Sequence, residues 1–136
     1  MKNFLMVAAI SLLVILPISS NAKEASPTLY AISFHADWCG SCKALGPKMA
    51  KARGKADLDS ANVLFVKLDL TDKTTSHQAS LLASALGVAD FYKENNGKTG
   101  FILLVNSSTG ETLGKITKDM DADQIEAKIQ ENIKSL

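Results

Sequence analysis

The sequence predicts an α/β fold, a mixed β-sheet sandwiched between layers of helix in the order β-α-β-α-β-β-α. Three observations carry that expectation. Short runs rich in branched and aromatic residues alternate with stretches whose apolar residues recur every three or four positions. Two β-α-β units precede a late hairpin, which sets parallel strands first and an antiparallel pair last. Apolar residues make up 46% of the chain and charged residues 21%, ordinary globular usage that excludes a disordered chain, a collagen-like repeat and a polytopic membrane protein.

Each element has its own signal. Thr28 to Ala36 reads as a strand, bounded by Pro27 and by the turn Asp37-Trp38-Cys39-Gly40. Cys42, Leu45, Met49, Ala52 and Ala56 share one face of a helix that ends near Gly54 or Lys55. Val63 to Leu70 is a second strand, and its run Val63-Leu64-Phe65-Val66 predicts a place in the middle of the sheet, covered on both faces. Ser76 to Leu86 reads as a helix stopped by Gly87, and Val88 to Gly100 as an irregular segment, long enough for a functional or mobile loop. Phe101 to Val105 is the strongest strand signal; Asn106-Ser107-Ser108-Thr109-Gly110 turns it into a partner at Thr112 to Ile116. A final helix follows, with Asp121 and Gln124 as its capping pair and Ile125, Ile129 and Ile133 four residues apart.

The first 22 residues read as a removable export leader, which leaves residues 23–136 as one small domain. Met1-Lys2-Asn3 is short and basic, Phe4 to Ile18 is apolar, and Ser20 and Ala22 supply the small residues of a cleavage site. Fifteen residues interrupted by Pro17 fall short of the roughly 20 that a membrane-spanning helix needs. Without Lys2 the chain carries 14 basic and 14 acidic residues, a balance that excludes a general electrostatic hold on nucleic acid. In an oxidising compartment a lone cysteine pair can persist as a disulfide, so the spacing of Cys39 and Cys42 matters.

The chemistry lies in Trp38-Cys39-Gly40-Ser41-Cys42-Lys43, where the first strand meets the first helix. Two sulfurs three residues apart on a first helical turn can close a small disulfide ring, and Gly40 relieves crowding there. Cys39 at the helix N-terminus gains thiolate character from unpaired N–H groups and the helix dipole. Cys42, one turn further in, is expected to be the more shielded. Cys39 is thus the expected attacking thiol, and Cys42 the resolving one. A zinc site is not expected, since only His35 and His77 could add ligands. A purely structural disulfide would close too short a loop to stabilise much.

Phe34-His35-Ala36-Asp37-Trp38-Cys39-Gly40-Ser41-Cys42-Lys43, with Pro47 five residues after the second cysteine, resembles the thioredoxin-fold thiol:disulfide oxidoreductases. The resemblance extends over nearly the whole domain and implies a thioredoxin-like three-layer sandwich with a redox-active Cys39/Cys42 dithiol and no cofactor. Lys67 matches the lysine that commonly lies beneath the active site. Leu68-Asp69-Leu70-Thr71-Asp72 is similar to exported members, notably periplasmic domains that deliver reducing equivalents. The expected protein is periplasmic, monomeric from its small size, and acts on protein thiols and disulfides with a membrane or periplasmic redox partner; the reducing direction is favoured, although the resemblance itself does not set it. Trp38 would shield the site, Gly40 and Ser41 would set its geometry, and Lys43 and Pro47 would support it.

Three departures stand out. Ser33 occupies the place of a buried acidic residue that serves as proton acceptor, and His35, on the same strand face, either substitutes for it or simply packs. Thr99-Gly100 stands where the family has a cis-proline; a cis bond without proline costs about 3 kcal/mol, so these residues are expected to form a different opposite wall for substrate. Ser41 replaces a proline between the cysteines, and its N–H and hydroxyl would favour a Cys39 thiolate. Outside the motif, Lys43, Lys48, Lys51, Arg53 and Lys55 read as a solvated helix face more than a docking face, and Phe91 and Tyr92 as anchors of the long segment. Two other functions fit the residues: a binding module that keeps the fold without turnover, and, less favoured, a thiolate metal-binding protein for a soft ion such as Cu(I).

Overall fold

The computed structural model describes residues 26–56, 58 and 61–136; the leader and its cleavage site lie outside them. Strands β1 (Leu29–His35), β2 (Val63–Asp69), β3 (Phe101–Asn106) and β4 (Thr112–Thr117) form one sheet, and helices α1 (Gly40–Ala56), α2 (Lys73–Ala85), α3 (Ala89–Asn95) and α4 (Ala122–Lys134) cover it. Spatial order is β2-β1-β3-β4. β1 runs parallel to β2 and antiparallel to β3, while β3 and β4 form the expected hairpin. Asn106 shapes that turn by accepting the N–H groups of Ser108 and Thr109 on its side-chain oxygen.

Strand alternation divides the core in two. Ile32 and Phe34 of β1 and Phe101, Leu103 and Val105 of β3 face Ala79 and Ala83 of α2 and Tyr92 of α3. Leu29 and Ala31, with Ile102 and Leu104, face Leu45 and Ala52 of α1 and Ile125 and Ile129 of α4. Ser33 and His35 continue the second face, so they point to the side of the sheet that carries α1. The α4 signal is reproduced closely: Asp121 and Gln124 form a reciprocal capping box. No described helix is long and apolar enough to cross a membrane.

Three expectations need correction. The run Val63–Val66 does not lie mid-sheet: β2 is an edge strand among the described residues, and Leu64 remains 37% exposed. An edge strand can be rich in apolar residues when one face packs on helix, as Val66 and Leu68 do here. α2 begins at Lys73, three residues before the expected start, because Asp72 and Thr75 cap each other. The segment from Val88 is not irregular, since Ala89–Asn95 is helical.

Helix α3 follows from how α2 ends. Gly87 takes φ +73°, its N–H donates to the Ser84 carbonyl, and the Val88 N–H donates to the Ala83 carbonyl. This is a Schellman ending, in which the apolar residue after the glycine folds back onto the last turn. Val88 is thereby buried beside Ala83, and α3 starts against the core. Tyr92 is buried with its hydroxyl donating to the Ser76 carbonyl at 2.8 Å, and Phe91 packs on the same cluster. Both aromatic residues anchor the segment.

Candidate active site

The site is built where the C-terminal ends of β1 and β2 deliver the chain to the start of α1. Cys39 precedes the first helical residue, and its sulfur accepts the Cys42 N–H at 3.2 Å. It occupies the position that a Ser or Asp side chain takes in an ordinary N-cap, where backbone donors are otherwise unpaired. Both cysteines are free thiols. Burial alone would raise the Cys39 pKa, but hydrogen bonds from the Cys42 thiol, the Thr99 hydroxyl and the N–H groups of Cys42 and Ser41 outweigh it and hold the thiol below its ordinary range. Cys42 moves the other way. Burial, reinforced by Cys39, pushes its thiol up, and its sulfur lies 3.8 Å from the Phe34 carbonyl.

Each cysteine retains 7% of its surface, but Cys42 lies deeper, and burial prevails at its sulfur and not at that of Cys39. The asymmetry is electrostatic: two backbone donors, from Ser41 and Cys42, converge on the Cys39 sulfur, while one, from Ala36, reaches that of Cys42.

Across from Cys39, Gly100 takes φ +90° and donates its N–H to the Phe34 carbonyl at 2.9 Å. A Cβ there would stand 2.5 Å from the Ser41 Cβ and 3.3 Å from the Cys39 sulfur. Thr99 and Gly100 therefore do form the opposite wall, with no cis peptide bond among the described residues. Replacing Thr99 by valine keeps the shape and removes the hydroxyl that both sulfurs share. The expected outcome is an alkylation profile for Cys39 displaced to higher pH, with the rate at pH 6.5 reduced about tenfold, as loss of one hydrogen bond to a charged acceptor implies. The sign follows from the acid: a weaker donor set favours the protonated, unreactive thiol. An unchanged profile would mean that the backbone N–H groups alone set the thiolate.

A second set of contacts fixes the turn before Cys39. Asp69 accepts the Thr71 N–H at 3.0 Å and also its hydroxyl. The Thr71 hydroxyl oxygen accepts the Asp37 N–H at 3.0 Å, and its carbonyl accepts Trp38 Nε1 at 3.1 Å. Trp38 is thus held by one end while 62% of its surface stays exposed, more a rim than a shield. Thr71 is the supporting residue that motif reading missed. Its signal was Asp69-Leu70-Thr71, a carboxylate two residues before a hydroxyl at a strand end, which is an Asx-type turn. The Thr71 hydroxyl, ahead of burial, holds the Asp69 carboxyl down to about 2, with Lys67 assisting.

The other expected site residues are placed unevenly. Lys67 pairs with Ser33 in the β1–β2 register and reaches Asp69 at 3.0 Å. His35 Nε2 lies 3.2 Å from an Asp37 carboxylate oxygen. Pro47 is exposed within α1, and Lys43 extends into solvent without a side-chain partner among the described residues. Three other basic residues of α1 are not merely solvated, while Lys51 is exposed: Lys48 donates to the Lys118 carbonyl, Lys55 pairs with Asp123, and Arg53 lies 4.1 Å over the Phe65 ring. His35, Asp37 and Asp69 offer ligand atoms within 4.8 Å of one another. Asp69 is already engaged by Thr71 and Lys67, however, which leaves a poor cradle for a cation.

A family model described as Thioredoxin matches residues 20–99. Mitochondrial thioredoxin of Mus musculus is 27% identical over 111 residues, which cover 79% of this chain and 54% of that protein. Protein disulfide-isomerase of Oryctolagus cuniculus is 42% identical over 43 residues, covering 32% of this chain and 8% of its own length. The chain thus spans about half of the first relative and under a tenth of the second. A thioredoxin-family thiol:disulfide interchange protein from Chlorobium tepidum superposes with a TM-score of 0.54 at 16% identity, over 82% of this chain and 83% of that one, a likeness of fold.

Proposed function

Because the chain belongs to the thioredoxin family, we propose that it exchanges disulfides with protein substrates through Cys39 and Cys42, in the reducing direction and outside the cytoplasm. The observation that carries this reading is the Cys39 sulfur in the N-cap position of α1, accepting the Cys42 N–H at 3.2 Å. A thiolate there attacks one sulfur of a substrate disulfide, and the other leaves as a thiolate. Cys42 then attacks the Cys39 sulfur of the mixed disulfide, frees the second substrate sulfur and closes the Cys39–Cys42 bond. Both electrons come from the dithiol, so the reaction calls for no bound cofactor.

The flanking residues support these steps. Thr99 and the N–H of Ser41 favour the attacking thiolate. Gly100 brings backbone against the sulfur with no side chain between, which leaves the groove open to an extended substrate. Thr71 fixes the Asp37-Trp38 turn, and exposed Trp38 offers an apolar rim for a protein surface. The export leader supports work outside the cytoplasm, where a membrane or periplasmic donor would restore the dithiol of a monomeric protein. The reducing direction rests on the similarity of Leu68–Asp72 to domains that deliver reducing equivalents.

The test is the reduction potential of the Cys39/Cys42 couple, equilibrated in graded thiol buffers and read by alkylation. A value at or below about −200 mV is expected, and one near about −120 mV would reverse the direction to disulfide donation. Failure to exchange in every buffer would overturn the activity and leave the non-catalytic binding module as the reading.

A further inference from the structure

Resolution of the mixed disulfide requires Cys42 to lose its proton, and burial, the largest local influence, opposes that loss even with the Ala36 N–H and the Thr99 hydroxyl on its sulfur. The residue keeps 7% of its surface, its sulfur faces the Phe34 carbonyl, and burial raises its thiol. The side chain that faces it from β1 beside His35 is Ser33, which is no base at neutral pH.

A cavity of about 330 Å³ lies between α1 and the β1–β2 edge of the sheet, and Cys42, Ser33, His35 and Lys67 all line it. Gly46 and Ala50 of α1 also line it, where small side chains leave the space open. Most of its lining is apolar, and Ser33, His35 and Lys67 are the polar groups along which water joins Cys42 to the imidazole.

The charged groups around Cys42 can be taken in turn. Cys39, just before α1, is tied up in the mixed disulfide at this step. Lys67, from β2, is an ammonium already bonded to Asp69 and has no lone pair to offer. Arg53, on α1, is a donor-only guanidinium. From β3 the cavity receives Phe101 and Ile102, with Gly100 just before them, and none of these titrates. His35 remains. Its Nε2 lies 3.2 Å from Asp37, a carboxylate that can only accept, so Nε2 carries the hydrogen and Nδ1 keeps a lone pair.

We propose that His35, held in one tautomer by Asp37, is the relay base that takes the Cys42 proton through water in the cavity the two side chains share. This rests on the dithiol exchange proposed above. In the balanced step, the Cys42 S–H proton passes through water to His35 Nδ1, and the sulfur pair attacks Cys39. The Cys39–substrate bond breaks as the Cys39–Cys42 bond forms. The substrate sulfur leaves with the electron pair and is protonated by the imidazolium through solvent. Two electrons pass from the protein dithiol to the substrate disulfide.

The experiment is a single turnover of the reduced protein with a disulfide-bridged peptide, quenched in acid, alkylated and sorted by mass into dithiol, mixed disulfide and oxidised protein between pH 6 and 9.5. With His35→Gln, the mixed disulfide is expected to form as fast as in the wild type and to decay about 10- to 100-fold more slowly at pH 7. The deficit should close towards pH 9.5, where hydroxide removes the proton directly. Asp37→Asn, on the surface, should give a smaller deficit of the same pH form and keeps the test available should His35→Gln fold poorly. Unchanged decay at pH 7 in both variants, or a deficit of equal size at every pH, would overturn the relay while leaving the exchange reaction intact. A wild type that yields neither mixed disulfide nor oxidised protein would overturn both.

Discussion

Cys42→Ser is expected to halt the reaction at the mixed disulfide, with turnover of a protein disulfide reduced by on the order of 10³-fold or more and the substrate covalently captured on Cys39. Cys39→Ser should be equally inactive yet capture nothing. The two variants differ because the two sulfurs differ. Cys39 receives the N–H groups of Ser41 and Cys42 and the Thr99 hydroxyl, and so is ionised more readily than an ordinary thiol. Cys42, raised by burial, is a poor nucleophile towards a substrate it cannot easily meet, and becomes effective only when Cys39 carries a bond within its reach. Serine in its place leaves the helix start intact, because the N–H that caps Cys39 belongs to the backbone. Mass spectrometry of the quenched mixture separates the outcomes. Capture by Cys39→Ser instead of Cys42→Ser would exchange the two roles, and capture by neither would remove the dithiol mechanism.

Local signals in the sequence reached the fold wherever one residue set a boundary. Asp121 and Gln124 cap α4 as their spacing predicts, and Asn106 and Gly110 turn the hairpin. Beyond the local Asp72–Thr75 cap that starts α2 earlier than expected, what local reading missed was decided by neighbours. Val63–Val66 is as apolar as a central strand, but its place at the edge depends on which strands pair with β1, and no property of the run itself specifies that. Helix α3 has two turns, no side-chain N-cap and two aromatic residues, so it scores poorly as an isolated helix; it forms because Gly87 and Val88 seat it on the core. The same division holds at the site. Cys39 and Cys42 declare themselves by spacing, while Thr71 acquires its place only when β2 ends beside β1 and the Asp37-Trp38 turn comes within its reach. The low exposure of Cys39 has a related cause: Thr99 and Gly100, just before β3, close over it, and helix position alone does not reveal that wall.

Gly100→Ala should be the most damaging single methyl in the domain. Gly100 lies at φ +90°, where a side chain costs about 1–3 kcal/mol, and the new Cβ would stand 2.5 Å from the Ser41 Cβ. Neither neighbour yields easily. Ser41 is in the first turn of α1, and Gly100 is tied by its N–H to the Phe34 carbonyl at the head of the β1–β3 pairing. Overpacking of this kind adds about 1–3 kcal/mol, for a total near 3 kcal/mol and a fall in Tm on the order of 15 °C. Reactivity should fall with it, since the Cβ also crowds the Cys39 sulfur at 3.3 Å. Proline is a worse choice: it requires φ near −65° and has no N–H for Phe34. The steric and backbone parts separate in a double-mutant cycle. Ser41→Gly removes the clashing carbon and should recover about 1–2 kcal/mol of the loss, while the backbone cost persists. An alanine variant that melts with the wild type would show that the loop can step back from Ser41, and the close approach of backbone to Cys39 would then not be what this wall requires.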